Sequence, residues 1–434
     1  MNIPVVTVGQ SREDLVGGLE RLHGPVTVVR RCAELAELLA ACQSGLARAA
    51  VVADGSEGLT ASLVDRLGAV GVAVIALTDS AEEAARLRKI GVASALAGVE
   101  SAELSGRIAD AVAQLTGAGR PASLSAAADP GAALATDPAE PEQAAEGRGS
   151  GRLIVVWGPA GSPGRTTVAV NIAGEMAADG QDVLLVDADT YGASVAAVLG
   201  LLDESAGLAQ ACRLADQGQL DTDALRKIAA TVATASGQFR VLTGITRADR
   251  WTEIRATALA LVLERAREIA DVLVVDTGFC LEADEELSFD TMAPRRNAAT
   301  LRPLELADTV YAVGAADPVG VPRLVRALAE LEDAVPQASP TVLMNKVRSS
   351  SVGRDPERQL RDAWERYGPA PELKAFLPHD PRAADAALLG GSLLLEAAPE
   401  SDLRRAIRGL VCAPDQRKRK SPVFSSTPRG RAKD

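Results

Sequence analysis

The sequence has few aromatic residues and few cysteines, and it contains no long apolar run. Aromatic side chains make up 3% of the 434 residues, so the cores must be built mainly from Ala, Val, Leu and Ile. The five cysteines are scattered without CxxC or zinc-type spacing, which indicates small buried hydrophobes in a reducing compartment. No run of about 18 apolar residues is present, and the N-terminus lacks the basic region and cleavage pattern of a signal peptide. These absences predict a cytoplasmic protein without a transmembrane helix.

The charge is acidic overall, with a basic exception at the C-terminus. A formal net charge of −12 argues against nucleic acid as a partner for the body of the protein. Residues 415–434 carry seven basic and two acidic side chains. This tail can contact an anionic membrane surface through its charge, or it can be a solubilising disordered terminus. Both interpretations stay open.

Residues 1–117 alternate short apolar strands with helical runs. Five strand–helix units in this length predict a small doubly wound sheet. The predicted strands are Ile3–Val8, Val26–Val29, Ala49–Ala53, Val72–Leu77 and Ala93–Leu96, and the predicted helices are Leu15–Leu22, Leu35–Cys42, Ala61–Leu67, Ala81–Ile90 and Ala102–Leu115. Residues 118–150 are rich in Ala, Gly, Pro, Ser and acidic residues without periodicity, which predicts a flexible linker.

This first segment resembles a response-regulator receiver domain. Asp54 follows the third strand, where such a domain keeps its phospho-acceptor, and Thr78 follows the fourth. The acidic pair that holds Mg²⁺ is missing after the first strand, and the lysine expected after the fifth strand is missing from residues 93–98. Little would stabilise a phosphoryl group on Asp54, so we interpret the segment as a pseudo-receiver in which Asp54 caps a turn.

Residues 151–412 show the same alternation on a larger scale, which predicts a second, mostly parallel sheet with helices on both faces. The predicted fold class is therefore α/β with two doubly wound parallel-sheet domains. The buried-strand candidates are Leu153–Trp157, Val183–Val186, Val272–Val275, Val310–Val313 and Thr341–Met344, and the clearest helices are Thr166–Ala178 and Glu253–Ala270.

A degenerate phosphate loop lies between the first strand and first helix of this domain. Residues 158–167 read GPAGSPGRTT, against the P-loop pattern G-x-x-x-x-G-K-[ST], whose amides cradle phosphates and whose hydroxyl binds Mg²⁺. Gly161 and Gly164 still permit close backbone approach to an anion. Arg165 replaces the lysine and Thr166 stands at the metal position, with Thr167 on the α-phosphate side.

Three carboxylates follow buried strands in the same domain. Asp187 and Asp189 end one strand and Asp276 ends another. Ligands of open α/β sheets bind beyond the carboxyl ends of the strands, so we expect the three acids to face the phosphate loop. A Walker-B-type Asp binds Mg²⁺, and a second acid can orient the attacking water.

These motifs together resemble the MinD/ParA/Mrp group of P-loop ATPases over essentially all of residues 151–412. The similarity runs through GPAGSPGRTTVAVNIAGEMAADGQDVLLVDADTYGASVAAVLGL, DVLVVDTG, ADTVYAVGAADPVGVPRLVRALAEL and FLPHDPRAADAALLGGSLL. A pseudo-receiver in front narrows the resemblance to the CpaE/TadZ branch, which positions Tad (Flp-type) pilus assembly at cell poles. The resemblance implies ATP and Mg²⁺ as cofactors and a homodimer as the working form.

The resemblance also implies roles for single residues. Asp189 would position water and Arg165 would neutralise phosphate charge. Asn345 would recognise adenine. The residues implied for nucleotide binding are Gly161, Ser162, Gly164, Arg165, Thr166, Thr167 and Asn345, and those implied for Mg²⁺ are Thr166, Asp187 and Asp276.

Departures from the family pattern weaken the expectation of catalysis. The signature lysine that crosses the dimer corresponds to Ala160, and the loop lysine is Arg165. The Pro and Gly of the usual switch after the Walker B strand are Gly278 and Cys280. Cations that neutralise developing phosphate charge supply most of phosphoryl-transfer catalysis. We therefore expect nucleotide binding without fast hydrolysis.

Both histidines favour structural roles, and one charged segment leaves two interpretations open. His23 and His379 lie far in sequence from any nucleophile motif and are interpreted as structural. Segment 282–299, acidic and then basic, is either a partner-facing insertion or a solvated loop.

The leading hypothesis is a CpaE/TadZ-like localisation factor or scaffold for pilus assembly, with secretion or pilus proteins as partners and a polar or inner-membrane-peripheral position. The alternatives are a working MinD/ParA-type ATPase that positions the septum or segregates chromosomes with cell-division proteins, and a nucleotide-sensing regulator unrelated to pili.

Overall fold

The structure, a computed structural model, describes residues 2–9, 15–22, 24–117, 151–201, 205–282, 295–369 and 373–412. Two sheets organise this part of the chain, one of five strands and one of eight. The predicted linker 118–150, the tail 413–434, His23 and residues 283–294 of the predicted insertion lie outside the described residues. No helix within the described ranges is long and apolar enough to span a bilayer.

The first sheet is parallel throughout, with strand order β2-β1-β3-β4-β5. Its strands are β1 (Ile3–Val8), β2 (Val26–Cys32), β3 (Ala49–Val52), β4 (Ala73–Leu77) and β5 (Ala93–Ala95). Its helices are α1 (Leu15–Arg21), α2 (Leu35–Gln43), α3 (Ala61–Ala69), α4 (Ala81–Lys89) and α5 (Ser101–Gly117). Thr60 and Ser80 cap α3 and α4 by accepting the amides of Leu63 and Glu83, so short polar residues fix where both helices begin.

The second sheet has the order β13-β12-β11-β6-β10-β7-β9-β8. All neighbours are parallel except the antiparallel pair β8–β9. The strands are β6 (Arg152–Trp157), β7 (Val183–Ala188), β8 (Ala230–Thr234), β9 (Gly237–Leu242), β10 (Val272–Thr277), β11 (Thr309–Ala315), β12 (Pro340–Val347) and β13 (Leu373–Pro378).

Helices cover both faces of this sheet. They are α6 (Arg165–Ala178), α7 (Val195–Val198), α8 (Gly207–Asp216), α9 (Thr222–Ile228), α10 (Ala256–Arg267), α11 (Ala298–Leu306), α12 (Gly320–Ala334), α13 (Ser349–Val352), α14 (Pro356–Tyr367), α15 (Pro381–Gly390), α16 (Leu394–Ala397) and α17 (Asp402–Val411). Alternate residues of β6 enter different cores: Leu153 and Val155 pack with α8, α10 and α12, whereas Ile154 and Val156 pack with α6 and α17. A strand buried on both faces explains why this sequence reads as continuously apolar.

The predicted fold class is confirmed. Each strand and helix predicted from periodicity forms, and its ends lie within about two residues of the expected ones in all but three cases: β2 extends to Cys32, β12 extends to Val347, and the helix expected at Glu253–Ala270 occupies only Ala256–Arg267. The structure adds the β8–β9 hairpin at one sheet edge and β13 at the other. β8 alternates between half-buried and exposed residues, so it lacks the apolar run by which the central strands are predicted.

The register of the central strands positions the functional residues. β10 lies between β6 and β7, and Asp276 of β10 pairs in register with Asp187 of β7. The loop after β6 therefore leaves the sheet beside two carboxylates.

The five-stranded N-terminal domain packs on α8 and α10 of the second domain. The amide of Ser62, in the first turn of α3, donates to Asp216 Oδ1 at 2.7 Å. Arg86 Nη1 donates to the carbonyl of Gln217 at 3.0 Å, and Thr257 Oγ1 donates to Asp65 Oδ2 at 3.0 Å. Leu261 of α10 packs against the core of the first domain. Polar and apolar contacts thus join the two domains.

Candidate nucleotide site

The loop after β6 has the backbone of an anion cradle. Gly161, Ser162 and Gly164 have φ values of 109°, 52° and 99°, in the left-handed region that glycine adopts without strain. A Cβ on Gly164 would lie 2.4 Å from Asn345 Nδ2, so only glycine fits there. Gly164 is also the N-cap of α6 and offers no side-chain cap. The first-turn amides of α6 therefore stay available for an anion.

Arg165 is held inside the loop by three hydrogen bonds. Its Nη1 donates to the carbonyls of Gly158 and Pro159 at 3.0 and 3.1 Å, and its Nη2 donates to Asp189 Oδ2 at 3.2 Å. The side chain is 13% exposed, and its Nε is buried without a partner. A phosphate that binds Arg165 must therefore compete with Asp189.

Thr166 contacts Asp276, one of the carboxylates at the strand ends, as the sequence predicted. Its Oγ1 donates to Asp276 Oδ2 at 2.6 Å and lies 3.2 Å from Ser194 Oγ. The other oxygen, Asp276 Oδ1, is buried and has no hydrogen-bond partner. An orphaned carboxylate oxygen beside a hydroxyl is suited to a hard cation or its water shell.

Both buried carboxyls have raised pKa values. Burial raises the pKa of Asp187 to about 7, although its oxygens accept the amides of Asp189 and Val195. Burial, and then the neighbouring Asp187 carboxylate, raises the pKa of Asp276 well above its usual value. The two groups resist carrying negative charge together, and a bound cation would offset that cost.

Asp189 organises the turn that follows β7. Its Oδ1 accepts the amides of Tyr191 and Gly192 at 2.8 and 3.1 Å, while Oδ2 accepts Arg165. The loop after β10 approaches the same carboxylate, because a Cβ on Gly278 would lie 3.3 Å from Asp189 Oδ1. Asp189 therefore faces the loop as predicted, with both oxygens engaged.

Asn345 and its neighbour hold the outer side of the loop. Asn345 is 6% exposed, and its Nδ2 donates to the carbonyl of Pro163 at 2.8 Å. Its Oδ1 accepts the amide of Lys346. The sequence-based expectation for Asn345 was recognition of adenine; the structure places its amide group on the loop instead of pointing freely into the cavity.

A cavity of about 700 Å³ opens from the loop toward α15–α17. Its size suits a nucleotide-sized ligand. The predicted residues that line it are Gly161, Ser162, Gly164, Arg165, Thr166, Thr167, Asp189 and Asn345. Its distal wall is formed by His379 and Asp380, Leu388 of α15, Leu394 of α16 and Ile407 of α17. His379 thus lies in the cavity wall, although the sequence favoured a purely structural role.

An aromatic and arginine cluster forms the rim near Asp189, and sequence reasoning missed it. The rings of Tyr191 and Phe279 lie 4.9 Å apart, and the Arg296 guanidinium lies 3.9 Å from the Tyr191 ring centroid. Tyr191 OH donates to Asn297 Oδ1 at 2.7 Å. These residues come from three separate loops, so no local pattern could indicate them.

Two further cations near the loop were also missed. Lys346 Nζ donates to the carbonyl of Ser162 at 2.7 Å. Arg323 of α12 covers Gly161 from the side of a smaller cavity of about 240 Å³. Ala160 is exposed beside them.

In the five-stranded N-terminal domain, few groups surround the Asp54 carboxylate. The Asp54 carboxylate accepts the amide of Gly55 at 2.9 Å, and the Cα of Gly9 approaches so closely that a Cβ would lie 2.5 Å from the Asp54 amide. Thr78 Oγ1 accepts the amide of Ser80. Among the hydrogen bonds and ion pairs of the described residues, none joins Asp54 to a cation.

Comparisons with known proteins concern the segment that holds the phosphate loop and the fold of the second domain. Residues 150–219 match the ParA family model, described as NUBPL iron-transfer P-loop NTPase. No curated protein sequence matches the chain. A ParA family ATPase from Chlorobium tepidum TLS is 19% identical with a TM-score of 0.50, covering 60% of this chain and 98% of that chain.

Two MinD structures are also similar. The cell division ATPase MinD of Pyrococcus furiosus is 21% identical with a TM-score of 0.46, covering 60% of this chain and 97% of that chain. The septum site-determining protein MinD of Pyrococcus horikoshii OT3, solved with Mg-ADP, is 19% identical with a TM-score of 0.46, covering 60% and 94%. Residues 150–219 thus carry a ParA-family P-loop sequence, and the domain that contains them has the fold of a ParA family ATPase.

Proposed function

We propose that the protein binds ATP with Mg²⁺ in the cavity beside Gly161–Thr167 and hydrolyses it slowly or not at all, acting as a nucleotide-dependent localisation factor or scaffold. The observation that carries this proposal is the contrast within the site. The phosphate-binding backbone and the Thr166–Asp276 pair are intact, whereas Arg165 is engaged with Asp189 and Ala160 supplies no charge.

Backbone groups would supply most of the phosphate binding. The first-turn amides of α6 converge on the loop, and the N-terminal end of the helix favours an anion. Arg165 can hold a phosphate oxygen with its planar guanidinium, after giving up its bond to Asp189. Thr167 and Asn345 also line the cavity, and the resemblance assigns Asn345 to the adenine base.

Thr166, Asp187 and Asp276 would hold the Mg²⁺. Asp276 Oδ1 is a buried oxygen without a partner, which is the donor type that Mg²⁺ takes directly or through water. The described residues contain no group of three or more His, Cys, Asp or Glu that could hold a metal alone. That fits a cation held mainly by water and nucleotide phosphates. Bound Mg²⁺ would neutralise charge on the phosphates.

We expect slow hydrolysis because one cation is missing from the phosphate loop and another is already engaged. Stabilisation by an arginine or lysine at the γ-phosphate is worth about 10³–10⁵ in rate in P-loop NTPases. Here Ala160 offers no charge and Arg165 is divided between Asp189 and two carbonyls. We expect turnover at or below about 10⁻³ s⁻¹.

The proposal extends to a CpaE/TadZ-like role in Tad/Flp pilus assembly. Its support is the order of the parts: a receiver-like domain without a receiver's acidic pair, joined to a degenerate P-loop domain. The resemblance adds a homodimer, secretion or pilus proteins as partners, and a polar position at the inner face of the membrane. A MinD of Aquifex aeolicus has been solved in a MinC:MinD cell division complex, so partner binding by a protein of this fold has precedent.

A working ATPase of the MinD/ParA type is the second candidate. The observation that favours it is the complete set of Thr166, Asp187, Asp189 and Asp276 around the loop. Asp189 would then orient water once Arg165 moves to phosphate.

One set of assays tests the biochemical proposal. Purified protein should bind ATP in the presence of Mg²⁺, and Thr166→Ala should remove the Mg²⁺ dependence. Hydrolysis at rates near 1 s⁻¹, abolished by Asp189→Ala or Arg165→Ala, would establish the ATPase instead.

A genetic test addresses the pilus role. Deleting the gene should abolish pilus assembly without changing septum position or chromosome segregation. Division or segregation defects with normal pili would overturn this part of the proposal, as would a gene neighbourhood without a secretion ATPase and its inner-membrane platform protein.

A further inference from the structure

Two residues in the site have backbone conformations that residues other than glycine rarely adopt. Among the described residues, Ser162 and Lys346 are the non-glycine residues with positive φ, at 52° and 59°. A Cβ makes this left-handed region unfavourable. Such residues persist only where the surrounding structure holds them, and they cluster at functional sites.

The two strained residues contact each other. Lys346 Nζ donates to the carbonyl of Ser162 at 2.7 Å, although they are far apart in sequence. Asn345 Nδ2 donates to the next carbonyl, that of Pro163, at 2.8 Å, and Asn345 Oδ1 accepts the amide of Lys346 at 2.8 Å. Consecutive residues at the end of β12 thus bind consecutive carbonyls of the loop.

The composition of the loop explains why it needs support from outside. Glycine would adopt the conformation of Ser162 freely, whereas serine needs compensating contacts. Pro163 has no amide with which to close a turn. The carbonyls of both residues accept hydrogen bonds from the end of β12. The amide of Gly164, which shares a planar trans peptide group with the Pro163 carbonyl, therefore points to the other side of the loop.

We propose that Lys346, together with Asn345, is a positioning residue that holds Ser162 and Pro163 in the phosphate-binding conformation. The inference rests on the proposed nucleotide binding. Lys346 also lines the large cavity, so the competing role for its amine is direct contact with a phosphate. The two roles differ in one respect: a loop support becomes dispensable when the strain at Ser162 is removed.

A double-mutant cycle exploits that difference. The variants are Lys346→Met, which keeps the length of the chain but removes the N–H donors, Ser162→Gly, and the two combined. Lys346→Arg is the conservative variant, and Lys374→Met, an exposed lysine on β13, is the matched control. ATP affinity is measured by calorimetry with Mg²⁺, and hydrogen exchange of residues 160–164 is measured in the nucleotide-free protein.

Lys346→Met should weaken ATP binding by about tenfold, the size expected for losing a hydrogen bond from a charged donor, and should speed exchange in the loop. Ser162→Gly gives the ATP affinity of the background without strain at residue 162, and the double variant should bind ATP as that background does. Lys346→Arg should retain most of the affinity, and Lys374→Met should change nothing.

Equal loss of affinity from Lys346→Met in both backgrounds would overturn the proposal and assign the amine to the phosphate. Unchanged affinity and exchange in Lys346→Met would also overturn it. If the wild type binds no ATP, the proposed function fails, and the exchange measurements still decide whether Lys346 supports the loop.

Discussion

Arg165 and Asp189 bind each other at the centre of the proposed phosphate site, at 3.2 Å. Both side chains are mostly buried, with exposures of 13% and 9%, so solvent screens the pair only partly. A γ-phosphate and the Asp189 carboxylate would therefore compete for the Arg165 guanidinium. This residue-scale competition is the physical reason to expect binding without rapid cleavage.

Replacing Asp189 with Asn should tighten ATP binding by about five- to tenfold, because the variant frees Arg165 and removes a negative charge facing the phosphates. Asn Oδ1 can still accept the amides of Tyr191 and Gly192, so the turn is kept. Asp385→Asn, which removes a charge from the same cavity without touching Arg165, is the control for calorimetric titrations. Weaker binding by Asp189→Asn would show that Asp189 serves the nucleotide.

The raised pKa of Asp187 makes stability depend on pH. Its folded value is about 7 against an ordinary 3.8, so the folded state binds more protons than the unfolded state between these values. The free energy of unfolding therefore falls as pH rises through this window and levels off above about pH 7. Replacing the Asp187 carboxyl removes this pH-dependent loss of stability. It also makes Asp276 easier to ionise, because the neighbouring Asp187 carboxylate is gone.

The Tm of Asp187→Asn relative to wild type should rise between about pH 5 and about pH 7 in Mg²⁺-free buffer and level off above that. Its absolute Tm can be lower at all pH values, since Asn accepts fewer hydrogen bonds than the two oxygens of Asp187. A Tm difference that stays constant across this range would show that Asp187 does not titrate there.

Some site residues could be predicted from the sequence because they occupy strand ends or a helix start, whereas others could not. Asp187, Asp276 and Thr166 sit at strand ends and at a helix start, and parallel strands bring their carboxyl ends to one edge. Lys346, Tyr191 and Arg296 act through contacts between distant loops, which depend on the register of β12 and on packing. Periodicity and spacing carry no information about such contacts.

At the scale of elements, the helix that carries the phosphate loop is fastened to the last described helix. Glu175 of α6, with a side chain 1% exposed, pairs with Arg404 of α17 at 2.6 Å, and Arg408 lies 3.7 Å away. Asn171 joins α6 to α16 by accepting the amide of Leu394. The C-terminal helices therefore stabilise the helix from which the first-turn amides project.

Arg404→Ala should lower the free energy of unfolding by about 3 kcal/mol, because it leaves the buried Glu175 carboxylate with only a weak partner. Arg405→Ala is the matched control on the same helix; it removes exposed pairs with Glu400 and Asp402 and should cost at most about 1 kcal/mol. Urea denaturation measures both. Equal effects of the two substitutions would refute a stabilising role for the Glu175 pair.

At the scale of the whole molecule, the five-stranded N-terminal domain contacts the second domain through a face that begins just after Asp54. Asp216 caps the start of α3 from the other domain. Arg86 links Ser56 and Leu59 to Gln217. These contacts join the loop that follows the third strand to the second domain.

Asp216→Ala should speed hydrogen exchange of the Ser62 amide by about tenfold, since the amide loses a charged acceptor. Exchange in α5, remote from the contact, should not change. Asp223→Ala, an exposed acid at the start of α9, is the control. Unchanged exchange at Ser62 would mean that the two domains are not held together by this contact.

The central claim is that the site holds a nucleotide and barely cleaves it, and single-turnover mixing of the full-length protein with Mg²⁺ and labelled ATP tests it most directly. Bound and cleaved nucleotide are counted in the same sample over time. We predict saturable binding with conversion to ADP at or below about 10⁻³ s⁻¹. Conversion near 1 s⁻¹ that Arg165→Ala abolishes, or no binding at all, would contradict the claim.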